Sequence, residues 1–585
     1  MMIRWRRPAF WLGTCAAAAC WPLLAPALLA RAGPPDRTET RPRANLRFEI
    51  SFSTQASAEA VDGRVYLCIS TDGAREPRFE INERANASQQ LFGVDADGLA
   101  PGAAAVIDGA TLGYPLAHLG DLPRGDYYVQ ALLNRYTTFH RSDGYTLKLP
   151  MDEGEGQRWN AKPGNFYSAP RRLHIDPAES SVIRIEMAQV IPSIQPPRDT
   201  PYVKHLRFQS EVLSRFWGRP MYLGAIVLLP AGWDAHPDAR YPLLVEQGHF
   251  QADIRGFSSE PPPPNLSGFA AEAAKAAYQF YQDWTSGRLP RMIILVIQHA
   301  NPYYDDSYAV DSANVGPYGD AINRELIPYV ESKYRGIGQG WARATFGGST
   351  GGWEALASQV FYPDFYNGTW AFCPDPVDFH SYQIVNLYDD RNALWLEGPM
   401  ARVPRPDMRE TDGTVLTTME QSNRYELVLG THGRSTEQWD IWQAVFSPVG
   451  PDGYPQPIWD PYTGVIDHSV SAYWSQHYDL DAILQRNWKT LGPALAGKIH
   501  VTVGTRDTYY LDLAVRRLQK FLESTKGPYY AGSFEYGPGQ PHCFTGEADL
   551  PARVGSLTAT ERVLKAAAAR MLQSAPPGAD IRWGR

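Results

Sequence analysis

Ala344-Thr345-Phe346-Gly347-Gly348-Ser349-Thr350-Gly351-Gly352 is the stretch on which the fold is decided. It contains Gly347-Gly348-Ser349-Thr350-Gly351, a Gly-x-Ser-x-Gly pattern. A serine in that pattern sits on a tight strand-to-helix turn, and small neighbours let the strained backbone pass close to adjoining elements. The flanks fit, with a short apolar strand at 344–346 before it and a helical pattern at 353–361 after it. Upstream, 222–229 and 243–246 read as strands, and Ile293-Ile294-Leu295-Val296-Ile297 is a continuous apolar run of the kind buried on both faces. Residues 320–334 carry Ile322, Leu326, Ile327 and Val330 at helical spacing. Strands alternating with helices predict an α/β class, a mostly parallel sheet with helices on both sides.

A serine hydroxyl is a poor nucleophile until a base takes its proton. On a strand–elbow–helix scaffold the acid and the base follow the serine in chain order. Residues 498–504 read as a strand, and Thr505-Arg506-Asp507 is the turn at its end, which makes Asp507 the candidate acid. Asp512 is the alternative, but 511–522 looks helical and would carry it away from the turn. After a further strand at 529–536, the loop Gly537-Pro538-Gly539-Gln540-Pro541 ends at His542, the candidate base. The anionic intermediate needs two N–H donors. The Thr350 amide, next to the nucleophile, is one candidate, and the His249 amide, after the 243–246 strand, is the other.

The remaining chain divides by pattern. Arg4, Arg6 and Arg7, an apolar run and Ala30-Arg31-Ala32 read as a cleavable secretory signal over 1–32. This implies an exported protein, periplasmic or secreted. Its removal takes four arginines and no acid, moving the net charge from −8 to −12. Such a chain has neither the basic patch that nucleic acid requires nor an affinity for anionic membranes. A polar leader, 33–45, follows. From 46 the period becomes two: Leu46, Phe48, Ile50 and Phe52 alternate with Arg47, Glu49, Ser51 and Ser53. With similar runs at 65–69, 127–133 and 182–187, residues 46–195 read as a β-sandwich-like domain. Within it Asp95-Ala96-Asp97-Gly98 reads as a plain turn. A catalytic domain at 200–575 carries an insertion at 376–494, rich in Trp395, Trp439, Trp442, Trp459 and Trp474. Those rings fit equally a lid or stacking platform and a small satellite core. The proline-rich loop 257–267 is expected to wall the site.

Outside the signal the cysteines are Cys68, Cys373 and Cys543, with no CxxC or Cys/His spacing for zinc, so no metal or cofactor is expected. Cys373 follows the strand after the nucleophile and Cys543 follows His542, so both loops leave a parallel sheet on one face. That face allows either a disulfide between them or two buried free thiols.

The 293–298 run resembles the esterase-D and enterochelin-esterase branch of the α/β-hydrolases, which includes feruloyl and acetyl-xylan esterases and mycolyltransferases. So do Tyr318-Gly319-Asp320 through Ile327-Pro328-Tyr329-Val330, Tyr334-Arg335 and the Gly-Gly-Ser349-Thr-Gly-Gly elbow. The resemblance covers about 220–375 and 495–545. It implies the α/β-hydrolase fold, a Ser-Asp-His triad and small-molecule ester substrates such as aromatic or saccharide esters. The chain departs from the branch at Thr350, where many relatives carry Met, and at Gln247-Gly248, where a His-Gly pair is usual. Acyl transfer and peptide hydrolysis use the same triad. No repeat of the propeller kind precedes the catalytic part to favour a peptidase.

Overall fold

A computed structural model describes residues 46–179, 181–547 and 552–584. The signal and leader expected at 1–32 and 33–45 lie outside the described residues. The alternation that opens the described chain builds strand Arg47–Phe52, with Phe48, Ile50 and Phe52 fully buried. It lies between Val182–Met187, parallel to it, and Ala105–Asp108, antiparallel to it. This three-stranded sheet shares one apolar core with a seven-stranded sheet that includes Val61–Ser70, Gln90–Leu99 and Gly125–Arg135. The opposite face of the larger sheet presents Tyr66, Leu91 and Tyr114 to Tyr425, Val428 and Leu429 of helix Met419–Leu429. Arg64 Nε donates to Val428 O at 2.8 Å and Tyr66 Oη to Leu429 O at 2.6 Å. The N-terminal strands are therefore fastened to the segment between residues 376 and 494, beside the catalytic face.

Asp95-Ala96-Asp97-Gly98, expected as a turn, is instead part of strand Gln90–Leu99. Turn propensity loses here to pairing: Asp95 meets Arg64 at 3.0 Å and Arg434 at 3.6 Å, and Lys148 meets Asp97 at 3.2 Å.

The second sheet has eight strands in the order Val203–Ser210, Met221–Leu228, Ile293–Gln298, Leu243–Gln247, Arg343–Gly348, Thr369–Phe372, Ile499–Gly504 and Ser533–Gly537. The first two run antiparallel to their neighbours and the rest are parallel. Strand Ile293–Gln298 is apolar and buried over its first five residues, as a sheet covered on both faces requires. Helices Thr350–Phe361, Leu480–Leu495 and Asp512–Ser524 connect consecutive parallel strands. The alanine-rich helix Gly268–Thr285 is an element that the sequence pattern above did not identify. Phe257 packs on its Phe280 and Tyr281, so loop 257–267 leans on this helix and does not line the cavity at Ser349. Among the described residues no helix is long and apolar enough to cross a membrane.

Candidate active site

Ser349 stands between strand Arg343–Gly348 and helix Thr350–Phe361 with φ 58° and ψ −124°. That left-handed φ is rare for a residue with a Cβ. Its surroundings hold it there. A Cβ on Gly347 would lie 2.3 Å from Gly351 O, and one on Gly351 would lie 2.1 Å from Gln247 O. The glycines of the elbow are thus required by backbone-to-backbone approach, and the turn presents the hydroxyl above the sheet edge.

The parallel register brings the other two candidates to the same edge. Ile499–Gly504 ends at the turn holding Asp507, and Ser533–Gly537 leads into the loop holding His542. Ser349 Oγ lies 3.0 Å from His542 Nε2, and His542 Nδ1 lies 2.8 Å from Asp507 Oδ2. Asp507 is wholly buried, and its other oxygen accepts from the amides of Tyr509 at 2.9 Å and Leu511 at 3.3 Å. A carboxylate so held fixes one imidazole tautomer, with Nδ1–H toward Asp507 and Nε2 open to the serine. Asp512 bonds instead to Arg409 and Arg516. Burial pulls the His542 pKa down, but the Cys543 thiol and the Asp507 carboxylate outweigh it and hold it well above the imidazole range.

Thr350 is buried at the first helical position. Among the described residues neither its amide nor that of His249 donates to a protein acceptor. Two unused N–H groups on either side of the elbow are what an anionic oxygen needs. Gly248, at φ 142°, allows the second to turn inward. The His249 ring has its own partners. Nδ1 lies 3.1 Å from Asp305 Oδ1 and 2.9 Å from Asp306 Oδ2, and Nε2 lies 3.4 Å from Thr350 Oγ1. Burial lowers the His249 pKa, and the two carboxylates override that and raise it well above the usual range.

Asp375 was not singled out by sequence. It lies just past strand Thr369–Phe372, and its Oδ1 is 3.4 Å from Ser349 Oγ. Its Oδ2 accepts from Tyr308 Oη at 2.6 Å and Thr350 Oγ1 at 3.0 Å. Only 5% exposed, it has a pKa raised by burial. Its position past the carboxyl end of a strand beside the elbow was the available signal.

The disulfide that the shared face allows between Cys373 and Cys543 is not formed, and both are free cysteines. Burial raises the Cys373 pKa well above the usual thiol range, whereas Cys373 and the charge of His542 lower that of Cys543 well below it. Cys373, Cys543 and His542 have ligand atoms within 4.8 Å of one another, as do His249, Asp305 and Asp306.

Ser349 and His542 open into a cavity of about 380 Å³. Trp439 and Trp442 of the insertion line it, while Trp459 and Trp474 are buried in a ring cluster around Tyr382. The insertion thus supplies both a pocket wall and a satellite core. A separate cavity of about 490 Å³ lies on the far side of Glu426 and Trp439 and does not include Ser349.

Residues 223–552, more than half of the chain, match the family model described as "Putative esterase". The chain belongs to this esterase family, and it is a serine esterase-type hydrolase of the α/β-hydrolase fold. Among solved structures it is similar to a ferulic acid esterase, at 14% identity over 62% of this chain and 98% of the other, with a TM-score of 0.33. It is similar to an S-formylglutathione hydrolase from Agrobacterium tumefaciens, at 12% identity over 64% and 98%, with a TM-score of 0.34. A third is FphF, a fluorophosphonate-binding serine hydrolase of Staphylococcus aureus, at 14% over 62% and 97%, with a TM-score of 0.31. No curated protein matches the chain.

Proposed function

We propose that this protein hydrolyses carboxylic esters through Ser349, His542 and Asp507 by way of an acyl-enzyme. Ser349 Oγ attacks the ester carbonyl as its proton passes to His542 Nε2. The carbonyl oxygen, now anionic, accepts from the amides of Thr350 and His249. His542 then protonates the departing alkoxide, leaving the acyl group on Ser349. Water attacks that acyl group, gives its proton to His542, and the proton returns to Ser349 as the acid leaves. Asp507 holds the imidazole in the required tautomer and stabilises its charge. The observation that carries this reading is the unbroken line of contacts from Oγ through the ring to a buried carboxylate.

The substrates are small-molecule esters with an aromatic or hydroxylated group, received against Trp439 and Trp442. The basic and apolar pattern of residues 1–32 supports export to the periplasm or beyond. Labelling by a fluorophosphonate probe, with release of acid from nitrophenyl, feruloyl and acetylated-sugar esters, tests the activity. Wild-type protein that neither takes the probe nor cleaves any of these esters would refute it.

A further inference from the structure

The cavity at Ser349 has an end that the hydrolytic relay does not use. Three carboxyls reach it from separate parts of the chain: Glu83 from the N-terminal strand region, Asp407 from strand Pro406–Arg409, and Glu437 from the start of helix Gln438–Phe446. The Glu83 carboxyl makes no hydrogen bond or ion pair among the described residues, and the cation acting on it is its neighbour Arg84. Asp407 is 1% exposed. One of its oxygens accepts from Ser422 Oγ, while Oδ1 has no partner. Beside it Gln383, 3% exposed, has its Oε1 without a donor. The unmet atoms are therefore acceptors, and a ligand that satisfies them has to bring donors or positive charge.

Burial and mutual repulsion raise Asp407 to about 7 and Glu437 to about 8, with Glu83 acting on both. Such a cluster gains most from an arriving cation, because the cation removes the repulsion and restores ionisation. Aromatic rings complete the surround. Tyr425 donates to Glu437 Oε1 at 3.1 Å, and Tyr509 meets the His542 ring edge-on at 4.9 Å. Aromatic faces with carboxylates are the setting in which ammonium groups are held. Tyr509, on which both Glu83 and Asp407 act, joins this end of the cavity to His542, the group that protonates the leaving alcohol.

We propose that Glu83, Asp407 and Glu437, with Tyr425 and Tyr509, form a subsite for an organic cation on the alcohol side of the ester, so that the preferred substrates are esters of amino alcohols. The placement of the cation on the alcohol rests on the hydrolytic roles given above to Ser349 and His542. The N-terminal region thereby contributes a substrate contact through Glu83.

Two esters of matched shape test the subsite: the acetate of 2-(trimethylammonio)ethanol and 3,3-dimethylbutyl acetate. The expected result is a kcat/KM for the cationic ester about tenfold or more above that for its neutral isostere. Glu83→Gln and Asp407→Asn should each move that ratio towards one. Calorimetry on the Ser349→Ala protein should show saturable binding of 2-(trimethylammonio)ethanol that Glu83→Gln weakens. Equal rates on the two esters, or a preference that survives both substitutions, would overturn the proposal. So would a preference for an acetylated monosaccharide that Glu83→Gln abolishes, since that marks a polyol site. If neither acetate is cleaved, the calorimetry decides the cation site by itself, the absence of saturable binding overturning the proposal, and the probe labelling and ester screen given above decide the hydrolytic reading.

Discussion

Two hydroxyl–imidazole–carboxylate chains stand side by side at the elbow, built on consecutive residues. One runs from Ser349 through His542 to Asp507, the other from Thr350 through His249 to Asp305 and Asp306. Residue types do not separate them; geometry does. Ser349 Oγ is 3.0 Å from its imidazole and opens into a cavity, whereas Thr350 Oγ1 is 3.4 Å from its imidazole, fully buried, and donates to Asp375. The His249 ring is engaged on both nitrogens, by Asp305 and Asp306 at Nδ1 and by Thr350 Oγ1 at Nε2. His542 faces one carboxylate and keeps Nε2 for the serine. A nucleophile needs an oxygen that reaches both its base and the cavity, and only the first chain supplies that.

The largest test of that contrast removes one hydroxyl at a time. Ser349→Ala should lower turnover on any cleaved ester by on the order of 10⁶. Thr350→Val keeps the amide at that position and should retain roughly a tenth or more of the wild-type rate, since only a side chain outside the reaction is lost. Steady-state rates on purified proteins decide it. A Ser349→Ala protein with a tenth of the activity would reverse the assignment.

Next comes the carboxylate. Asp507→Asn should cost roughly 10⁴ in kcat, because the amide imposes the wrong tautomer on His542. Asp512→Asn should leave most of the rate, since Asp512 faces Arg409 and Arg516. Damage from the second substitution without the first would make Asp512 the acid.

Asp375 links the two chains and gives a smaller effect, read in stability. In Asp375→Ala the hydroxyls of Tyr308 and Thr350 lose their shared acceptor inside the protein. An unmet buried polar group costs about 1–3 kcal/mol. The denaturation midpoint should fall accordingly, and Asp375→Asn, which keeps an acceptor oxygen, should recover part of the loss. Equal midpoints for wild type and Asp375→Ala would contradict the hydrogen bonding described.

What the sequence discloses here follows from how local each signal is. Ser349 declares itself in five residues, because the turn needs glycine on both sides of it. Asp507 and His542 follow because strand order fixes where the next two loops emerge. Asp375, Tyr308 and Gln438 carry no local mark. They meet only because two loops and the start of helix Gln438–Phe446 reach one edge of the sheet, and Glu83 lies on a loop of the N-terminal β-region. The turn expected at 95–98 failed because Asp95 and Ala96 pair with Arg64 and Gly63 across the sheet, and Asp95 is also ion-paired to Arg64 and Arg434. Helix Gly268–Thr285 was legible in its alanines, which favour helix whatever the packing, yet it has too few apolar positions to stand out by periodicity. The Cys373–Cys543 pairing was foreseen as proximity. The bond did not follow, because proximity on one face does not decide between a disulfide and two free cysteines.

The smallest effect concerns that thiol beside the base. In the mechanism proposed above, activity requires His542 with Nε2 unprotonated. A pKa held well above the imidazole range keeps the ring protonated, and the enzyme inactive, to higher pH than an ordinary histidine would. The acid limb of kcat/KM on an uncharged ester should therefore lie above the pH at which a free imidazole titrates. The Cys543 thiol contributes to that elevation together with Asp507, and its own pKa is depressed by the hydrogen bond from Cys373 and by the charge of His542. Cys543→Ser removes a group that ionises and leaves one that does not. The His542 pKa should then fall, and the limb should move to lower pH, with little change in the plateau rate because Ser349, Asp507 and the two amides are untouched. Asp305→Asn, which weakens the charge held around His249, should leave the limb in place, since His249 takes no proton in the reaction. A limb that shifts with Asp305→Asn and ignores Cys543→Ser would mean that the titrating imidazole belongs to the second chain.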